Sequence, residues 1–83
     1  MTLQETIEAK FGNSQQRFAA KCAIDPGQLS KYLALERGED AGQAPSAVNL
    51  ARIMAEAPKL GPAYWAALKE RRRKRRAHPS QGA

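Results

Sequence analysis

Apolar positions recur along the chain at helical spacing, and the stops between them are those of helix ends. Leu3, Ile7 and Phe11 fall at steps of four and share one face. Thr2 stands ahead of them with Glu5 three residues on, the pattern of a capping box. Gly12-Asn13 predicts the stop, since both tolerate the left-handed backbone of a helix end. A second helix starts at Asn13 or Ser14 and reads QQRFAAKC, with Phe18, Ala19 and Cys22 inward. After Ala23-Ile24, Asp25 is a cap for a third helix, with Pro26 at its first position and Gln28 where a capping-box partner belongs. Leu29, Tyr32 and Leu33 form one face of that helix; Gln28, Ser30 and Lys31 lie opposite.

Residues 37–45, RGEDAGQAP, read as a loop. A fourth helix over 46–57 turns Leu50, Ile53, Met54 and Ala57 inward, and its broad apolar face predicts the most buried helix. Pro58 ends it and Gly61-Pro62 opens a fifth, with a short stripe of Tyr64, Trp65 and Leu68. Because helices one to four can cover a core of this size, the stripe is expected at a symmetric dimer contact.

Composition agrees with an all-α chain. Sixteen Ala and seven Leu stand against one Val, three Ile and two Thr, the reverse of what strands favour. Eighty-three residues make a single domain, a compact one of four to five helices, too small for a deep substrate cavity.

Charge adds a partner to this picture. Residues 69–76, KERRRKRR, hold seven basic and one acidic residue, so the whole net charge of +6 lies there and the body is neutral. The chain thus divides into a domain over 1–68 and a basic extension over 69–83. Mutual repulsion predicts fraying beyond Leu68, while the preference of cations for a helix C-terminus argues for partial helicity there, and His78 to Ala83 should be disordered. A concentrated cationic run suits a polyanion, above all nucleic acid. If roughly four cations neutralise phosphates, they account for about 3.6 units of the slope of log affinity against log salt.

The segment 15–34 has the residue sizes of a helix-turn-helix. With Gln15 as the first position, a small residue is needed fifth, and Ala19 is there. Apolar residues are needed fourth, eighth, tenth, fifteenth and eighteenth, where the chain has Phe18, Cys22, Ile24, Leu29 and Tyr32.

The stretch SQQRFAAKCAIDPGQLSKYL resembles the DNA-binding helix-turn-helix of the lambda-repressor and Cro-like family, and APSAVNLARIMAEA resembles that family's fourth helix. The resemblance covers about residues 1–60. Where the family usually has Gly in the turn, this chain has Ala23, and helix three with its following loop is longer. The resemblance implies a phage or prokaryotic transcriptional regulator, with helix three in the major groove of double-stranded DNA. Gln15 is similar to the family's phosphate-contacting glutamine. Pro26 and Gly27 cannot read a base by hydrogen bonding, so readout falls to Gln28, Ser30 and Lys31. Ser14, Gln15 and Arg17 are expected at the DNA backbone, together with Arg71, Arg72, Arg73, Lys74, Arg75 and Arg76. Three readers are few, so two half-sites bound by a homodimer are expected.

Other readings of the same residues stay open. The helical pair can belong to a protein-interaction module of the antitoxin-like kind, and the arginine run to an RNA binder or a solubilising tail. Tyr64 and Trp65 suit a core as well as an interface, and Cys22 suits a small core position. No enzyme, cofactor, metal site or small-molecule substrate is expected: the lone His78 sits beside Pro79, and no Gly-rich phosphate loop or Cys/His spacing is present. One cysteine and the lack of a long apolar run predict a cytoplasmic chain without a membrane partner.

Overall fold

The computed structural model describes residues 2–76, folded as α1 (Leu3–Phe11), α2 (Gln15–Cys22), α3 (Pro26–Glu36), α4 (Ala47–Glu56) and α5 (Pro62–Arg76). The domain is all-α. Helix starts follow the capping residues. Thr2 Oγ1 accepts from Glu5 N at 3.0 Å while Glu5 Oε1 accepts from Thr2 N at 2.7 Å. Ser14 caps α2, Asp25 accepts from the Gly27 and Gln28 amides to cap α3, and Ser46 caps α4. Each side chain satisfies amides that the first helical turn leaves without a partner.

Helix α1 ends on two consecutive left-handed residues, Gly12 and Asn13. Helix α2 ends the same way but on alanine: Ala23 has φ 56° and ψ 42°, and Ile24 N donates back to Ala19 O at 2.9 Å. A Cβ in this conformation costs about 1–2 kcal/mol, and glycine escapes that cost while adding unfolded-state entropy. Ala23→Gly is therefore expected to stabilise the fold by about 0.5–1 kcal/mol, read as a higher urea midpoint at unchanged slope. An unmoved midpoint would show that the turn holds Ala23 without strain.

The core draws on all five helices. Leu3 and Ile7 of α1 meet Phe18 and Ala19 of α2, and Leu29, Tyr32, Leu33 and Leu35 of α3 lie at the centre. Phe11 closes one side edge-on to Phe18, with ring centroids 5.3 Å apart. Ile53, Ala57 and Leu60 close another side, and Trp65 and Leu68 of α5 the last.

Two expectations are corrected here. Helix α4 is not the most buried helix. Only Ile53 within it is buried and Leu50 and Met54 are half-buried, whereas α3 buries five residues. The breadth of its apolar pattern comes from Ala47, Val48, Ala51 and Ala55, which all face outward. The second correction concerns α5. Trp65 is 3% exposed and Leu68 5%, and Tyr64 is half-buried with its hydroxyl bonded to Glu36. The stripe expected at a dimer interface is part of this chain's own core, because α1 to α4 leave a side of α3 uncovered.

Helix α5 also runs on through Leu68 without a break, as far as Arg76. The fraying expected from charge repulsion is opposed by cations at a helix C-terminus, which the helix dipole favours, and by Arg73 paired with Glu70 at 3.0 Å. The disorder expected for His78 to Ala83 lies outside the described residues. Among the described residues no helix is long and apolar enough to cross a membrane.

Candidate nucleic-acid interface

Helices α2 and α3 are joined by three residues, Ala23 to Asp25, and pack against each other. The side chains required inward on the pair are all buried: Phe18, Ala19, Cys22, Ile24, Leu29 and Tyr32. The opposite surface is polar and open. Gln28, Ser30 and Lys31 are exposed on the first turns of α3, as are Pro26 and Gly27 beside them. Gln15 and Arg17 are exposed at the start of α2. Ser14 is half-buried and its Oγ accepts from Arg17 N at 3.2 Å, which leaves its hydroxyl proton to donate elsewhere. The N-termini of α2 and α3, capped by Ser14 and Asp25, thus lie beside the expected readers and backbone contacts.

Three residues outside the expected set hold this surface in place. Arg52 Nη1 of α4 donates to Ala23 O at 2.9 Å, tying down the end of α2. Its neighbour one turn earlier, Asn49, donates from Nδ2 to the Tyr32 hydroxyl at 2.7 Å, tying down α3. Asn49 and Arg52 stand three apart on a helix whose one other polar residue is Glu56 at its end, and that spacing was the available sequence signal for a polar clamp. On the other side of α3, Glu36 accepts from Leu3 N at 2.5 Å, Gln4 N at 3.1 Å and the Tyr64 hydroxyl at 2.5 Å.

The cations of the extension differ among themselves. Lys69, Arg71, Arg73 and Lys74 are exposed, while Arg72 is half-buried and its Nη1 donates to Gly42 O. That engagement sets Arg72 apart from the backbone contacts expected of the run. Of Arg75 and Arg76 the helical backbone alone is described. Where α3 ends against α5, Leu35, Glu36, Arg37, Leu68, Arg71 and Arg72 line a cleft of about 100 Å³. Arg37 is paired with Glu39 at 2.5 Å, and this bond holds the Glu39 carboxyl below its ordinary range. Burial pushes the Cys22 thiol up, reinforced by Glu56. Among the described residues no three His, Cys, Asp or Glu side chains gather into a metal-binding group.

Compared with models of known families, with curated proteins and with solved structures, the chain matches none.

Proposed function

We propose that this chain is a sequence-specific regulator of transcription that binds double-stranded DNA with α3 in the major groove, in the manner of small phage or prokaryotic Cro-like repressors. The observation that carries the reading is the partition of α2 and α3. Every inward position of the pair is buried, while Gln28, Ser30 and Lys31 stand together in the open. Gln can bond bidentately to adenine, and Lys can donate to the O6 and N7 of guanine. Gln15, Arg17 and Ser14 hold phosphates at the start of α2, and Lys69, Arg71, Arg73 and Lys74 add sequence-independent attraction. Two copies on two half-sites, about 34 Å apart or a multiple of that, supply the discrimination that three readers lack. Their contact lies elsewhere than on the Tyr64-Trp65-Leu68 stripe. The working compartment is the cytoplasm.

The test begins with selection of binding sites from random duplexes. Gln28→Ala and Lys31→Ala are then expected to weaken binding to the selected site by about 1–3 kcal/mol each, and binding to a scrambled duplex little. Unchanged preference in both variants would remove α3 from readout. Failure to enrich any duplex, with tight capture of a structured RNA or a protein instead, would sink the DNA reading.

A further inference from the structure

The loop between α3 and α4 lies along α3 rather than away from it. Gly38 N and Glu39 N donate back to Leu35 O and Ala34 O at 3.0 and 2.9 Å, and Gly42 N donates to Glu39 O at 3.0 Å. Gln43 N then reaches Lys31 O at 3.1 Å. Gly42 is buried, and a Cβ there would overlap the Leu35 backbone nitrogen and Cα and stand 2.8 Å from the Ala34 carbonyl carbon. Residues 39–43 are thus a strap in direct backbone contact with the helix proposed to read bases. Arg72 of α5 donates to the carbonyl of Gly42, the residue of closest approach.

We propose that the cationic half of α5 is a fixed arm, indexed to the readout helix by Arg72 through this strap, which grips the DNA backbone beside the same half-site that α3 reads. The proposal rests on the DNA-binding reading and adds to it where the cations act. From Lys31 O the path runs through Gln43 and Gly42 to the guanidinium of Arg72, so the axis of α5 at Arg72 lies within roughly 15 Å of Lys31. Residues 69–74 extend along α5 by only about 7.5 Å. Both lengths are below the roughly 34 Å of one duplex turn, so the arm meets phosphates of the half-site under α3 and not those of the next. Arg73 is held by both oxygens of Glu70, which leaves Lys69, Arg71 and Lys74 as the principal grips among the described side chains. Arg72 is a positioning residue. A helical arm already in place loses less freedom on binding than a flexible tail of equal charge.

The experiment compares full-length wild type with Arg72→Ala and Arg71→Ala. In free protein, amide exchange at Gln43, Arg73 and Lys74 is expected to quicken together, at least about tenfold, in Arg72→Ala alone, with the Leu33 and Ile53 amides unchanged to show an intact core. On the selected duplex, phosphate-ethylation interference is expected to mark discrete phosphates flanking each half-site. In Arg72→Ala those marks should fade with the salt slope nearly preserved, while Arg71→Ala should lose one mark and about 0.9 of slope. Unchanged exchange in Arg72→Ala, or a sharp pattern with a slope reduced by about 0.9, would overturn the proposal and make Arg72 an ordinary phosphate contact. A wild type that binds no duplex would overturn the DNA reading and the arm's partner together, whereas the exchange comparison decides the indexing of the arm by itself.

Discussion

Replacing Trp65 by alanine is expected to lower the melting temperature by roughly 15–30 °C, and to do so in a monomer as much as in any assembly. The indole is 3% exposed and lies edge-on to both Tyr32 and Tyr64, with centroids 6.2 and 5.2 Å away. Its Nε1 donates to Leu60 O at 3.1 Å within the core. Truncation opens a cavity and leaves that carbonyl without its partner. Such losses cost about 3–5 kcal/mol. A domain of this size has a total stability of roughly 4–12 kcal/mol. Thermal melts followed by circular dichroism, run beside sedimentation, check it. A variant that melts with the wild type and loses only self-association would return the stripe to a dimer interface.

Glu36→Ala is expected to destabilise by about 2–3 kcal/mol, an unusual cost for a residue that is not fully buried. Its carboxylate faces the first two amides of α1, where the helix dipole favours negative charge, and accepts a hydrogen bond from the Tyr64 hydroxyl of α5. One side chain at the end of α3 thereby joins the first and last helices. Glu36→Gln keeps an acceptor and should cost about half as much, since hydrogen bonds to a charged group are the stronger ones. Urea unfolding of both variants measures the difference, and equal costs would mean that the charge contributes nothing. The same contact has an alkaline limit. Burial, with the Glu36 hydrogen bond second, raises the Tyr64 hydroxyl above its usual value of 10.0. The unfolded tyrosine ionises first and the folded one resists, so stability is full below about pH 10 and declines as the pH climbs toward the folded value.

What was legible in the sequence is what local chemistry dictates. Thr2 with Glu5, Gly12-Asn13 and Asp25-Pro26 mark helix ends because a cap is satisfied within three or four residues. The inward positions of α2 and α3 were legible because large apolar side chains at fixed offsets leave few other packings. Alanine misled in α4: a methyl group costs little to expose, so Ala47, Ala51 and Ala55 widened an apolar face that in fact points to water. The role of α5 was hidden because α1 to α4 supply enough apolar residues on paper, and only their placement shows the side of α3 left open. Glu36 and Arg72 were silent for another reason. Their partners are 28 to 33 residues away for the one and 30 for the other, and no periodicity records such a contact.

The buried Cys22 makes this chain its own clock for opening. Its side chain is 5% exposed and its thiol is raised above the ordinary value by burial, so the native form offers an alkylating reagent neither access nor much thiolate. Modification must then wait for α2 to leave the core. With reagent dilute enough that labelling is slow compared with reclosing, the labelling rate of the folded chain divided by that of the denatured chain gives the fraction of time the site is open. That ratio can be followed inside a crude extract, without purification and without knowing the ligand. A bound partner that holds α2 and α3 together would slow the clock in proportion to its affinity and concentration.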